Sequence, residues 1–213
     1  TYRSMLRTVG ETVLGPDACP TRQRLINHSD PEYPYSDDEV SDLLGAVRGL
    51  TTPHRRDNGL VIMSCGLGAG LSNGDLTGLV GTDIHRGGSV VAVNVSFGPR
   101  PRRVAVRAEW EDEVVHRAEQ VGEKPMFHPA RTRVRAKDIP NFLDRLEFPH
   151  LPRLALQRLR VTWIVRQLEA GVPAHVVAPA AGVGPGQIAR YFAFLPEVAD
   201  EDVDRMLRGS PGR

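Results

Sequence analysis

The chain has 213 residues and a mass of 23.4 kDa, which suits one domain of ordinary size or one domain with a short appendage. Hydrophobic residues make up 40% and charged residues 25%, a balance that excludes wholesale disorder. No apolar run approaches the roughly 18 residues needed to cross a bilayer, so no membrane partner is expected. Cys19 and Cys65 cannot form a disulfide framework, which favours a cytoplasmic location. Because the chain begins at Thr1 rather than methionine, we expect a segment to be missing upstream.

The formal net charge of +1 hides an uneven distribution of charge along the chain. Almost every cation is an arginine, a bias that a GC-rich genome would also explain. Acidic residues concentrate in 30–42 and 197–204. The middle of the chain carries three basic clusters, which are Arg100, Arg102, Arg103 and Arg107; Arg131, Arg133, Arg135 and Lys137; and Arg153, Arg158, Arg160 and Arg166. A basic middle between acidic ends predicts a basic face of the kind that a phosphate-binding surface requires.

The N-terminal part of the chain divides into a short helix and a linker. Apolar residues on a helical period predict a helix over 2–14, and a polar stretch that contains proline predicts a linker that ends at Tyr35. Residues 1–35 are thus predicted as an N-terminal helix and linker, and 36–213 as the main domain. Ser36 and Glu39 have the spacing of a capping box. The helix behind it is expected to bury Val40, Leu43, Leu44 and Val47.

A second helix should begin near Pro53, which suits the first turn of a helix. Residues 60–67 are apolar nearly all round, so this helix should lie in the core. The glycines at 66, 68 and 70 are expected to end it. Ser72, with Asp75 three positions on, predicts the cap of another short helix.

The period then changes to that of β-strands. Valine alternates with small or polar residues at 91, 93 and 95 and again at 104 and 106, and a turn is expected over 97–101. With no crossover helix between these strands, the sheet should be antiparallel. Helices are expected over 109–121, 139–148, 154–170, 174–181, 186–195 and 198–207. The predicted fold class is mainly α with a small antiparallel β-sheet.

Several common chemistries find no support in the sequence. The histidines and cysteines have no ligand spacing, so no metal is predicted, and no cofactor either. The glycines at 66–70 follow a helix and precede no Gly-Lys-Ser/Thr, which argues against a nucleotide loop. Ser64 is followed by Cys-Gly, which is not a nucleophile elbow.

The order of five segments is more informative than any single motif. Gly-Leu-Ser-Asn-Gly-Asp-Leu at 70–76 is followed by Gly-Thr-Asp-Ile at 81–84, an arginine-rich hairpin, the stretch 159–172, and finally Arg190-Tyr191. Over roughly 36–195, this order resembles the catalytic domain of the tyrosine recombinase (phage integrase) family. The stretch 159–172 looks like the family's box around the second catalytic arginine.

The resemblance implies a DNA strand-exchange chemistry. In that family a tyrosine attacks a DNA phosphodiester and forms a 3′-phosphotyrosine linkage. Two arginines, a lysine and two His-or-Trp positions stabilise the developing charge and move protons. Matched residue by residue, Tyr191 takes the place of the nucleophile and Arg160 that of the second arginine.

The other catalytic positions of the family are substituted in this chain. Ser72 stands at the first arginine, with Asp75 at its acidic partner, and Phe97 stands near the lysine. Gln157 stands at the histidine before Arg160, and Gly182 at the later His-or-Trp. The residues expected to face DNA phosphates are Arg100, Arg102, Arg103, Arg158 and Arg160.

Three functions remain open at the level of sequence. The first is a recombinase-derived DNA-binding protein with a degenerate active site, the second an active recombinase, and the third a helical protein–protein interaction module. Arg160 would equally serve as a salt-bridged arginine, and Tyr191 as a half-buried packing residue. The resemblance implies double-stranded DNA as partner, further copies or a related recombinase on that DNA, and a nucleoid-associated position in the cytoplasm.

Overall fold

The computed structural model describes residues 32–97 and 100–209. The helix predicted over 2–14 and most of the linker lie outside these residues, as do Gly98 and Pro99 of the hairpin turn. The α-helices of the described chain are α1 (Asp37–Arg48), α2 (Pro53–Ala69), α3 (Asn73–Gly78), α4 (Glu111–Val121), α5 (Asp138–Leu143), α6 (Leu156–Glu169), α7 (Ala174–Ala180), α8 (Pro185–Ile188) and α9 (Asp200–Leu207).

The sheet has three antiparallel strands in the order β1 (Ile84–Gly87), β2 (Val90–Val95) and β3 (Arg102–Ala105). The predicted class, mainly α with a small antiparallel sheet, is confirmed. Val93 in the central strand pairs with Ile84 on one side and Val104 on the other. The sequence analysis missed β1 because its residues after Ile84 are exposed and polar, so the strand has no alternating apolar pattern.

Two helices begin as their caps predict. The Ser36 hydroxyl accepts from the Glu39 backbone N–H, and the Glu39 carboxylate accepts from the Ser36 N–H. Ser72 and Asp75 form the same reciprocal pair at the start of α3. Such caps depend only on residues three positions apart, which is why the sequence reveals them.

The glycine-rich end of α2 differs from the prediction. Gly66 and Gly68 lie inside the helix, and only Gly70 ends it, in the left-handed conformation with φ 59°. The interior glycines let other elements approach closely, because a Cβ on Gly66 would lie 2.7 Å from Leu159 and one on Gly68 would lie 2.9 Å from Trp110. Gly66 therefore sets the packing of α2 against α6, and Gly68 sets its packing against the segment that carries Trp110.

Two predicted helices are shorter or divided. The helix expected over 139–148 ends at Leu143. The segment that carries Tyr191 is one turn of α-helix, α8, followed by a 3₁₀ helix over Ala189–Phe194. Helix α4 is preceded by a 3₁₀ turn over Ala108–Trp110.

The hydrophobic core brings α2, α6 and the inner face of the sheet together. Leu67, Val93, Val114 and Leu159 are all fully buried in it. Among the described helices, none combines the length and the apolarity that crossing a membrane requires.

A stacked pair of histidines, of which His128 is buried and His54 is exposed, lies at the edge of this core. Nε2 of His54 and Nδ1 of His128 are 2.8 Å apart, and the two rings stack. His128 adopts a positive φ of 53°, and its backbone N–H donates to the Asn58 side chain. Burial lowers the pKa of His128 to about 4, and the positive charge of Arg131 acts in the same direction.

This pair predicts a loss of stability in mild acid. His128 binds a proton near pH 6.5 in the unfolded chain but only near pH 4 in the folded one, so protons favour unfolding in that window. The free energy of unfolding should fall by roughly 2–3 kcal/mol between pH 6.5 and pH 4.

Urea denaturation across this pH range would measure the effect. His128→Asn, which tolerates a positive φ, should flatten the pH dependence. His175→Asn, at an exposed position on α7, should leave it unchanged. Equal slopes for His128→Asn and the parent would contradict the assignment.

Candidate functional site

Arg160 is the centre of a buried polar cluster between α2, α3 and α6. Its side chain is only 8% exposed, and Nη1 donates to the carbonyl oxygen of Gly70 at 2.9 Å. Nη2 donates to the carbonyl oxygen of Ala181. Burial lowers the pKa of Arg160, while the neighbouring Tyr191 and Asp75 oppose that effect. The guanidinium is thus held in a fixed position, where its charge is poorly screened by water.

Asp75 joins Arg160 to a second arginine. Its carboxylate receives a bidentate pair of hydrogen bonds from Arg102, at 3.0 and 2.7 Å, and lies 3.8 Å from Nη1 of Arg160. Ser72 donates to the same carboxylate through its backbone and its hydroxyl. Burial acts to raise the pKa of Asp75, but the hydrogen bonds from Arg102 and Ser72 outweigh it and leave this pKa below its usual value.

The two arginines line a cavity of about 360 Å³ on the surface of the domain. Its wall also contains Arg100, whose Nη1 donates to the carbonyl oxygen of Gly182 at 2.8 Å. The complete lining is Ser72, Asp75, Arg100, Arg102, Arg160, Ala181, Gly182, Val183 and Gln187. Three arginines against one aspartate give the cavity a net positive charge, which suits an anionic ligand.

Tyr191 lies in the 3₁₀ helix after α8. Its side chain is a hydrogen-bonding neighbour of the Arg160 guanidinium. It is only 7% exposed and does not itself line the cavity. The structure therefore brings the two residues together, as the sequence analysis required, but with the tyrosine in a packed position.

Solved structures of recombinases and integrases share this fold. The chain matches XerA recombinase with a TM-score of 0.60 and 16% identity, over 99% of this chain and 74% of the other. It matches the Tn1549 transposon integrase, in complex with transposon right end DNA, with a TM-score of 0.61 and 15% identity, over 87% of this chain and 68% of the other. The chain has the fold of a tyrosine recombinase. The catalytic domain of bacteriophage HP1 integrase matches with a TM-score of 0.52 and 18% identity, over 85% of this chain and 99% of the other.

The likeness lies in the fold and not in the sequence. No family model matches the chain. No curated protein matches it either.

The four positions at which the resemblance predicts substituted catalytic residues fall in different places. Ser72 and Gly182 line the cavity, whereas Phe97 and Gln157 do not. Phe97 is 57% exposed and lies across Gly78, where an added Cβ would be 2.3 Å from the ring. Gln157 is exposed in the first turn of α6. Two of the four positions are therefore part of the site, and two lie away from the cavity.

The arginines expected to face DNA phosphates also lie in different places. Arg100 lines the cavity, and Arg103 lies exposed on the strand face opposite Arg102. Arg102 has a side chain that is 10% exposed and bound to Asp75, so it is part of the cavity and not of the outer surface.

Arg158 is bound by other residues of the protein. Its guanidinium stacks 3.9 Å above the ring of Tyr35, pairs with Glu39 and donates to the carbonyl oxygen of Tyr33. It fixes the last residues of the predicted linker on α6, where Tyr35 is buried. These contacts occupy Arg158 within the protein, and Arg158 does not line the cavity.

Some residues of the cavity were missed by the sequence analysis. Gln187 contributes an amide side chain, and the carbonyl groups of Ala180 and Ala181 hold Arg102 and Arg160. Backbone carbonyls leave no signal in a sequence. A lone glutamine in a short helix leaves none either. In the described parts of the chain, no three His, Cys, Asp or Glu side chains are placed to hold a metal ion.

Proposed function

We propose that the chain is a DNA-binding protein of the tyrosine recombinase type whose catalytic set is reduced to Arg160 and Tyr191. The contact between these two side chains, beside an arginine-lined cavity on a recombinase fold, carries the proposal. The cavity has the positive charge that a phosphodiester needs. The integrase with a related fold that is in complex with transposon DNA supports duplex DNA as the partner.

The reduced set argues for weak cleavage. Attack by the Tyr191 oxygen on phosphorus would break the bond to the 5′ oxygen, and that oxygen must receive a proton while cations absorb the charge of the phosphorane. Neither Gln157 nor Gly182 can act as a general acid. Tyr191 must also reach a phosphate from a packed position.

The role would be in, or derived from, site-specific DNA recombination. Further copies of the chain or a related recombinase would assemble on the same DNA, and the protein would work at the nucleoid in the cytoplasm. An active recombinase is the second candidate, and the Tyr191–Arg160 contact is the observation that favours it.

A nicked suicide duplex that carries the flanking DNA of the gene tests both candidates. We expect duplex binding that weakens steeply with salt, and slow or undetectable formation of a covalent adduct. Tyr191→Phe should bind as the parent does, since the hydroxyl contributes no charge to binding. A rapidly formed adduct that disappears in Tyr191→Phe would establish the active enzyme, and a parent that binds no duplex would contradict both candidates.

A further inference from the structure

Arg102 reaches the cavity from an unexpected element. It lies on β3, whereas Ser72, at the position where the resemblance places an arginine, lies at the start of α3. Ser72 is short and turned towards Asp75, so the carboxylate receives its guanidinium partner from the strand. Asp75 thus holds one arginine by two hydrogen bonds and lies beside a second.

The Arg102 guanidinium is fixed and not mobile. Nε donates to the carbonyl oxygen of Ala180 at 2.8 Å, and Nη1 also donates to that of Arg100 at 3.3 Å. With the two bonds to Asp75, these contacts occupy four of the five N–H groups that an arginine offers. One N–H on Nη2 is left for a ligand of the cavity. A fixed guanidinium loses little entropy when an anion binds.

Gly182 leaves the space that this arrangement needs. A Cβ at residue 182 would lie 2.9 Å from Cζ and 3.0 Å from Nη1 of Arg102. The guanidinium cannot move aside without losing its bonds to Asp75 and Ala180. The backbone of Gly182 also has a positive φ of 65°, which disfavours other residues. The absence of a side chain at 182 and the presence of Arg102 therefore belong together.

We propose that Arg102 and Arg160 form a two-guanidinium site for one phosphodiester of DNA, with Arg102 replacing from the strand the cation that Ser72 lacks and Gly182 making room for it. This inference rests on the proposed function. It makes Arg102 a phosphate-binding residue and Asp75 its positioning residue. The bridging carboxylate offsets the repulsion between the two cations and leaves one net positive charge among the three side chains.

Duplex binding measured by fluorescence anisotropy over a range of salt concentrations tests the site. Arg102→Ala should weaken binding about tenfold and reduce the salt slope by about one. Arg107→Ala is the matched control, because it removes an arginine that is paired with Glu109 outside the cavity. It should change neither quantity appreciably. Parental affinity and slope in a folded Arg102→Ala protein would overturn the inference.

Restoring an arginine at position 72 gives the sharper test. The double variant Ser72→Arg/Arg102→Ala should recover most of the lost affinity, because Asp75 would then hold an arginine from the helix side. If Arg102 had only a structural role, the double variant would not recover DNA binding. A folded double variant that binds no better than Arg102→Ala therefore overturns the proposal. If Arg102→Ala does not fold, Arg102→Lys decides: it should bind several-fold more weakly than the parent, and parental affinity would overturn the inference.

The role of Gly182 is tested in two backgrounds. Gly182→Ala should weaken duplex binding in the parent by displacing Arg102, and should have no further effect on affinity in Arg102→Ala. Gly186→Ala, where an added Cβ meets no atom within 4 Å, is the control. Equal losses of affinity from Gly182→Ala in both backgrounds would contradict the proposed coupling.

One further experiment measures phosphate binding without DNA. Inorganic phosphate at constant ionic strength should raise the melting temperature of the parent more than that of Arg102→Ala or, in its place, Arg102→Lys. If the parent binds no duplex, the proposed function fails and this titration decides the phosphate site alone. If the parent binds duplex but Arg102 proves irrelevant, only the inference fails.

Discussion

Arg160→Ala is expected to lower the free energy of unfolding by about 3–5 kcal/mol and to weaken duplex binding at the same time. The guanidinium is buried and holds together the end of α2, the carbonyl oxygen of Ala181, and the side chains of Asp75 and Tyr191. Removing it leaves two buried carbonyl groups without a partner and frees Tyr191. Chemical denaturation would give the stability, and anisotropy with a duplex would give the affinity.

A second arginine of the same helix provides the control. Arg166 also lies on α6 and pairs with Asp37, whose side chain is 92% exposed. Arg166→Ala should therefore cost no more than about 1 kcal/mol. If Arg160→Ala were as stable as Arg166→Ala, the buried cluster would not have the structural role assigned to it. Arg160→Lys, which keeps the charge, should remain less stable than the parent, because one ammonium nitrogen would replace the two guanidinium nitrogens that reach the carbonyl groups of Gly70 and Ala181.

Val93→Asp is expected to cost about 4 kcal/mol or more, a large share of the roughly 5–15 kcal/mol by which a typical domain is stable. Val93 is fully buried in the central strand. It lies between Ile84 of β1 and Val104 of β3, and helices pack against the inner face of the sheet. A carboxylate there would be either an unpaired buried charge or a protonated acid without a partner. Circular dichroism during thermal melting would show the loss.

The next residue along the strand is a matched control. Asn94 is half-buried and pairs with Arg103 of β3. Asn94→Asp introduces the same carboxylate opposite a positive charge, so stability should change by no more than about 0.5 kcal/mol. Val93→Asp melting together with Asn94→Asp would mean that the strand is misassigned.

The features that the sequence revealed are those that depend on near neighbours. The capping pairs Ser36–Glu39 and Ser72–Asp75 formed as predicted because each requires only two residues three positions apart. The hairpin of β2 and β3 followed from the alternation of valines, since the period of two sets which side chains share a face. Arg160 and Tyr191 were brought together as the order of segments implied.

Tertiary structure decided which charges are used inside the protein and which remain for a ligand. Arg102 and Arg103 are adjacent in sequence, yet one is buried against Asp75 and the other is exposed, because neighbouring side chains of a strand point to opposite faces. Arg158 and Arg160 are two positions apart on α6 and also have different partners. Arg158 stacks on Tyr35, whereas Arg160 lines the cavity. The sequence by itself determined a recombinase-like order of helices and strands with a positive middle. The placement of each guanidinium depended on carbonyl groups and carboxylates distant in the chain, which local patterns do not encode.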